Sequence, residues 1–312
     1  MNLEQVRALA AIGETGSFEL AARRLHLTPS AVSQRVKALE TSTGQVVVRR
    51  GSPCTLTEAG AVLVRFARQV ELLEAESQEL LGVTRAAPAE IPVAVNADSL
   101  DTWFGPVLEE ASGWADTRLS LVIRDEDHTL DVLRHGEVVA AITSSADPVP
   151  GCRQVLLGAI CYVPVAAAGL VRRFSGGGGL DWENLPVLRY DARDDLQEAY
   201  LAARGLSSTL PPTTVPSASG LRSAAVAGLG WILVPEVSVT AELADGRLVP
   251  LSEETVEISL YWHAWKAPSH RLARLTDAVV AAAAAALRPV QATDERGLRV
   301  ATRPLAARPQ GM

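Results

Sequence analysis

Residues 17–40, SFELAARRLHLTPSAVSQRVKALE, constrain this chain more than any other stretch. They predict two short helices joined by a tight turn. On the second helix Val32, Val36 and Leu39 fall on one face at helical spacing and can bury against the first helix. Ser30, Ser33, Gln34 and Lys37 fall at i, i+3, i+4 and i+7 on the opposite face. A helix with its apolar side already used, and with hydroxyls, an amide and a cation on the other, has the layout of a rod that enters the major groove of DNA. A plain helical hairpin would also have two faces. Its solvated face ordinarily carries Glu, and this one does not.

The flanking residues agree. Ser17 can cap the first helix, whose inner face is Phe18, Ala21, Ala22 and Leu25. Thr28 and Pro29 supply an N-cap and a proline at the first helical position, where a missing N–H costs nothing. Free amides at that helix start can also meet a phosphate. Residues 45–50, QVVVRR, read as a strand, 51–53 as a turn and 54–56 as a return strand. Such a wing carries Arg49 and Arg50 toward backbone phosphate or the minor groove; two solvated arginines on a hairpin edge are the alternative. The candidate DNA-binding set is therefore Thr28, Pro29, Ser30, Ser33, Gln34, Arg35, Lys37, Arg49 and Arg50, with double-stranded DNA as partner.

A helix from about 58 to 81 follows. Leu63, Phe66, Val70, Leu73, Ser77 and Leu80 repeat in alternating steps of three and four, a coiled-coil-like seam. Beside a DNA-reading unit it predicts a homodimer through Leu63, Phe66, Val70, Leu73 and Leu80, with two reading helices about one DNA turn apart. Packing of this helix on its own domain is the alternative.

The net charge of −7 argues against a DNA partner until it is partitioned. Residues 1–60 hold seven Arg/Lys against five Asp/Glu, whereas residues 91–288 hold fifteen against twenty-four. Phosphate affinity depends on local cations, so an acidic second half does not oppose DNA binding; it favours a cationic partner. No run of eighteen apolar residues predicts a membrane span, and MNLEQVRALAAI lacks the basic-then-apolar pattern of a signal peptide. Cys54, Cys152 and Cys161 form no C-x-x-C pair, which fits a reducing cytosol and a cytoplasmic location. Cys152 and Cys161 read as plain buried thiols.

Residues 82–90 lose the helical pattern, and 83–90 read as a hinge. Strands at 91–95, 119–124 and 138–143 then alternate with helices at 99–111 and 129–135, and 152–165 supplies further strand. A second run has strands at 187–190, 213–215 and 231–234 and helices at 195–203 and 220–227. Strand 260–265 and an alanine-rich helix at 272–287 complete the pattern. Such alternation predicts parallel sheet covered by helices. Two α/β subdomains joined by crossing strands make a hinged cleft, with ligands at strand C-terminal ends. The glycine run at 175–179 lacks the Lys-Ser/Thr of a phosphate loop and reads as a flexible surface loop. Residues 289–312, rich in arginine, alanine and proline, are expected to be disordered.

Candidate cleft residues sit at the strand ends. Asn96 ends the first strand and Ser99 opens a helix, where free amides and a hydroxyl make a carboxylate site. Asp98 and Asp101 lie there too and could hold an ammonium. Asp125 and Thr129 follow the second strand, Thr143 ends the third, and Asp194 and Asp195 follow the first strand of the second subdomain. Ser217 and Ser219 precede a helix. Acids facing each other across a cleft suit a zwitterion with an extra cation, such as lysine or arginine. For each acid a solvated loop carboxylate or a helix cap is the alternative, above all for Asp98 and Asp195.

Residues 2–81 resemble the winged helix–turn–helix and linker helix of LysR-type transcriptional regulators. The strings GSFELAARRLHLTPSAVSQRVKALE and TEAG carry the resemblance, which runs to about residue 288. NADSLDTWFGPVL (96–108), LRHGEVVAAI (133–142), LGAICY (157–162) and YWHAWKAPSHRLARLTDAVV (261–280) resemble the branch that controls basic amino-acid export in response to lysine and arginine. The resemblance implies a winged helix–turn–helix over 1–57 and a linker and dimerisation helix over 58–82. It implies a two-subdomain α/β, periplasmic-binding-protein-like effector domain over 91–288, with subdomain I at about 91–162 and 258–288 and subdomain II at about 163–257. A homodimer or homotetramer that activates an exporter gene is also implied, with RNA polymerase as partner, lysine or arginine as small-molecule effector, and no cofactor or metal. Regulation of other amino-acid metabolism and a chromosome- or origin-binding role stay open. An α/β enzyme is a remote third reading, since the sequence holds no G-x-S-x-G, no H-E-x-x-H and no clustered metal-ligand spacing.

Overall fold

A computed structural model describes residues 1–82, 88–123, 126–290 and 298–302. The N-terminal unit is built from α1 (Leu3–Thr15), α2 (Phe18–Arg24) and α3 (Pro29–Thr43), followed by a hairpin of β1 (Val48–Arg49) and β2 (Thr55–Leu56). Side-chain caps start each helix: Asn2 and Gln5 form a capping box on α1, Ser17 accepts from the Leu20 amide, and Thr28 accepts from the Ala31 amide. Val32, Val36 and Leu39 of α3 are buried with Leu9, Ile12, Ala21 and Ala22 in one core. The wing is shorter than the sequence pattern suggests. The Val47 amide donates to Glu40 Oε1 at 3.0 Å and its carbonyl accepts from the Thr57 amide at 3.1 Å, so the end of α3 and the start of the next helix hold 45–47 instead of a strand partner.

The linker helix α4 (Glu58–Leu80) has two unlike sides. Ala61, Val64, Ala67 and Leu72 are buried within the chain, whereas Val62 is 52% and Phe66 43% exposed. Leu63, Val70 and Leu73 are half-buried, and the side chain of Leu80 lies outside the described residues.

Beyond it come β3 (Ala89–Val95), α5 (Ala97–Thr102), α6 (Gly105–Ala111), β4 (Thr117–Ile123), α7 (Glu126–Arg134), β5 (Ala140–Thr143) and β6 (Cys152–Ala167). The second subdomain adds α8 (Ala168–Phe174), β7 (Ser175–Gly176), β8 (Gly179–Leu180), β9 (Leu188–Arg189), α9 (Leu196–Ala203), β10 (Thr213–Thr214), α10 (Ala218–Val226) and β11 (Ile232–Pro235). A 3-10 turn, α11 (Thr240–Ala244), β12 (Leu248–Pro250), β13 (Glu254–Trp265), α12 (His270–Ala286) and β14 (Leu298–Thr302) follow. Both subdomains share one eight-stranded sheet in the order β11-β6-β13-β5-β3-β4, with β12 on β6 and β14 on β13, while β9 and β10 form a small parallel sheet of their own. The long strands β6 and β13 pair antiparallel through both subdomains, with a register shift at Leu260/Tyr261. Gly158 lies opposite that shift at φ +138, and a Cβ there would approach Leu287 Cβ to 2.8 Å and the Arg288 carbonyl to 2.9 Å, so the close approach of the α12 exit needs glycine.

Four sequence expectations change. The helix read over 99–111 is two helices, because Trp103 and Phe104 both donate to the Ser99 carbonyl and Pro106, with no N–H, starts a new turn. The glycine run is a tight hairpin of β7 and β8. The domain starts at Ala89, inside the expected hinge, of which 83–87 lie outside the described residues. Within the segment expected to be disordered, 298–302 forms β14 by pairing with 254–258 of β13.

Polar contacts tie α4 to the second half of the chain. Arg65 Nη1 donates to the Pro150 carbonyl at 2.6 Å. Arg68 reaches Glu14 of α1 at 2.7 Å and, through its other terminal nitrogen, the Glu137 carbonyl. Glu76 is buried against Ser269 Oγ and the Arg271 amide at the start of α12. Beside it, burial opposes ionisation of Asp116, but hydrogen bonds from Arg274 and Arg271 outweigh that and hold its carboxyl well below the usual range.

The α4 start also generates a prediction. A Cβ on Gly60 would lie 2.1 Å from the Val47 carbonyl oxygen, a backbone atom fixed by Thr57. Alanine gains about 1 kcal/mol of helix propensity, while overpacking against rigid backbone costs about 1–3 kcal/mol. We expect Gly60→Ala to lower the thermal midpoint; an unchanged or raised midpoint contradicts this reading of the junction.

Candidate functional site

The polar face of α3 is free of the protein interior. Thr28, Pro29, Ser30, Gln34 and Lys37 are exposed and Ser33 is half-buried. Thr28 Oγ1 caps the Ala31 amide at 3.2 Å and lies 3.0 Å from Ser30 Oγ. Arg35 differs from the others: its Nη1 is held by Glu4 Oε2 of α1 at 2.9 Å, so its charge is already matched within the chain. On the wing both arginines are exposed, and the Arg50 guanidinium stacks over the Phe18 ring at 5.3 Å.

The second site is a cavity of about 160 Å³ between the subdomains. From subdomain I, the ends of β3 and α5 bring Asn96, Asp98 and Asp101, and β6 brings Tyr162. From subdomain II, the turn before α9 brings Tyr190 and Asp194, α9 brings Gln197, and α10 and β11 bring Leu221 and Val234. Burial is the main cause pushing the Asp98 carboxyl up to about 6; a hydrogen bond from Tyr162 Oη at 2.6 Å opposes this, and the charges of Asp194 and Asp101 add to it. Asp194 is also raised by burial, against the amides of Tyr190 at 2.8 Å and Leu196 at 3.3 Å, which favour its charged form. At the mouth, Arg222 of α10 stands 3.8 Å from Asp101 of α5, a loose ion pair across the opening. Two acids from opposite lobes therefore share a confined space, which favours a cationic occupant.

The other sequence candidates have different roles. The Ser99 amide donates to Asn96 Oδ1 at 3.0 Å and its hydroxyl is fully buried, so Asn96 has taken the place expected for a carboxylate. Thr143 is buried and its Oγ1 accepts from the Ser145 amide at 3.1 Å, and Thr129 is buried on α7. Asp195 is exposed at the start of α9 and makes no capping bond, although its place in the sequence suggests a cap. Ser217 caps α10 through the Gly220 amide, with Ser219 Oγ 3.2 Å away, while Ala218 and Leu221 form the cleft wall. Asp125 lies outside the described residues. Sequence reading missed Tyr162, Tyr190 and Gln197. For Gln197 a signal exists: it shares an inward helical face with Tyr200 and Leu201, a polar residue on an otherwise apolar stripe.

His263 is fully buried with Nε2 3.2 Å from the Ser145 carbonyl, and burial lowers its pKa, so it is a packed, neutral side chain. Burial likewise raises the Cys152 thiol to about 11 and raises that of Cys161, the behaviour of inert thiols. Among the described residues there is no metal-ligating cluster and no helix long and apolar enough to cross a membrane.

Comparison with known proteins agrees with this geometry. Residues 3–61 match the bacterial regulatory helix-turn-helix proteins of the lysR family, and residues 89–286 match the LysR substrate binding domain. The chain thus belongs to the LysR family of DNA-binding transcriptional regulators and is not an enzyme. It is 47% identical to the lysine export transcriptional regulatory protein LysG of Corynebacterium efficiens, over 92% of this chain and 100% of that protein. Full-length LysG of Corynebacterium glutamicum with bound effector arginine superposes with a TM-score of 0.79 at 43% identity, over 93% of this chain and 100% of that one. ArgP from Mycobacterium tuberculosis gives 0.82 at 42%, over 92% and 98%.

The raised Asp98 carboxyl has a measurable cost. Folded Asp98 titrates near 6, against an ordinary 3.8 when unfolded. Between those values the folded state retains a proton that the unfolded state has lost, so this group's contribution to stability falls as pH rises from about 4 to about 6. An asparagine in its place would keep the Tyr162 hydrogen bond without the charge. Asp98→Asn is expected to raise the thermal midpoint of the ligand-free protein at pH 7, by an amount equivalent to at most about 3 kcal/mol, with the gain vanishing below about pH 4. Thermal melts of both proteins from pH 4 to 8 measure it; a gain independent of pH contradicts the assignment.

Proposed function

We propose that this chain is a cytoplasmic, homodimeric regulator that binds lysine or arginine between its two subdomains and thereby activates a gene for exporting basic amino acids. The observation that carries this reading is the pair Asp98 and Asp194, half-buried acids from opposite lobes in one cavity. A basic amino acid supplies the missing positive charge, and its aliphatic stem suits the apolar wall at Leu196, Leu221 and Val234. The effector recorded with the C. glutamicum relative, arginine, has this chemistry. A ligand that binds the closed cleft better than the open one shifts the population of arrangements available to the attached DNA-binding units. The exposed side of α4, with Val62, Phe66, Val70 and Leu73, is the surface for a second copy, and a dimer presents two α3 helices to a two-fold site. A tetramer and a contact with RNA polymerase complete the reading.

Calorimetry tests the effector assignment. L-lysine or L-arginine should bind the full chain, and Asp194→Asn should weaken that binding at least about tenfold. Because Asp98 must ionise to pair with a cation, affinity should rise as pH increases through about 6, with proton release. An absence of binding by both amino acids overturns the proposal; unchanged binding in Asp194→Asn overturns the placement.

DNA recognition divides between base reading and phosphate contact. Gln34→Ala should lower affinity for the promoter site while leaving random DNA unaffected. Arg50→Ala should weaken both and reduce the salt slope by about 1. Gel shifts at two salt concentrations decide it, and equal losses on both DNAs for Gln34→Ala contradict its base-reading role.

A further inference from the structure

The cavity wall contains a polar atom that the cleft chemistry has not yet used. Gln197 sits in the first turn of α9 and is only 2% exposed. Its Nε2 donates to the Leu188 carbonyl at 3.0 Å. A carbonyl oxygen only accepts, so this contact engages the amide nitrogen; a flipped amide would set acceptor against acceptor. This leaves Oε1 buried with no hydrogen-bond partner among the described residues. The cavity lining also carries donors in Asn96, Tyr190 and Ser238, and none of them hydrogen-bonds Oε1. Buried acceptors are nearly always paired, so an orphan beside a binding cavity calls for a donor from outside the chain.

We infer that Gln197 is a specificity-determining residue, its Oε1 accepting a hydrogen bond from the cationic nitrogen that Asp194 neutralises; this rests on the basic amino-acid reading above. An ammonium carries three N–H donors and a guanidinium five, so either can satisfy the Asp194 carboxylate and Oε1 together. An amino acid with an apolar side chain leaves Oε1 unpaired and Asp194 without a counter-charge. A site built to meet a donor rejects the analogue that lacks it far more strongly than a greasy pocket rejects a change in size. Gln197 thus converts a general preference for positive charge into a requirement for a hydrogen-bonding head group at one place.

The test is calorimetry on the full chain with L-lysine and with L-norleucine, which has the same carbon chain without the terminal ammonium. Gln197→Leu should weaken lysine binding about tenfold to a hundredfold and leave norleucine within about threefold, so that discrimination between the two collapses. Gln197→Glu keeps an acceptor oxygen and should retain lysine affinity within about threefold of the parent. That rescue separates ligand reading from a structural role at Leu188. Lysine affinity in Gln197→Leu equal to the parent's, or equal losses in the leucine and glutamate variants, overturns the inference. If Gln197→Leu gives no cooperative melt, Gln197→Met takes its place with the same expected outcomes. Loss of lysine binding in Asp194→Asn but not in Gln197→Leu leaves the effector assignment standing and removes this one; a parent chain that binds neither lysine nor arginine removes both.

Discussion

The antiparallel pairing of β6 with β13 is the constraint from which the sensing half of the molecule follows. Each strand is long enough to serve two lobes: β5 and β3 extend the sheet from one end, β11 and β12 from the other. The register shift at Leu260/Tyr261, with Gly158 opposite, marks where the shared strands change neighbours. A cleft forms because the helices and turns of each lobe meet above this junction without a strand between them. Asp98 from one side and Asp194 from the other reach that gap through ordinary strand-to-helix turns.

Electrostatics then gives the gap its character. Among the described residues neither Asp98 nor Asp194 has an arginine or lysine partner; Tyr162 and backbone amides support them instead. Elsewhere the same chain shows what matched carboxylates look like: Asp116 between Arg271 and Arg274, and Glu236 with Arg288 at 2.5 Å. The contrast separates acids matched by arginine within the chain from acids supported only by a phenol and backbone amides.

Much of this is legible in the sequence, and for identifiable reasons. The faces of α3 follow from a 3.6-residue period that tertiary packing does not disturb, and Thr28–Pro29 marks its start without ambiguity. Asp98 and Asp194 come up as candidates because they sit at strand ends of an α/β pattern, although a helix cap or a solvated carboxylate reads as well there. At Ser99, Thr143, Ser217 and Ser219 a hydroxyl near a turn serves neighbouring amides or burial as readily as a ligand, and sequence alone does not separate these. Arg35 reads as a DNA contact until Glu4, thirty-one residues earlier, is found to hold it. Tyr162 and Tyr190 reach the cavity only through the folding of β6 and of the turn before α9, which no local pattern encodes.

Arg68 occupies a position whose geometry has a mechanical meaning. One terminal nitrogen grips Glu14 on the first helix of the reading head, and the other grips the main chain at Glu137, in the turn leading into β5. One guanidinium thus bridges the first helix and the sensing half directly, beside the ties that Arg65 and Glu76 of α4 make to the same half. Because its planar fork is rigid, a relative displacement of its two partners would have to break one of these bonds, with little room to stretch both.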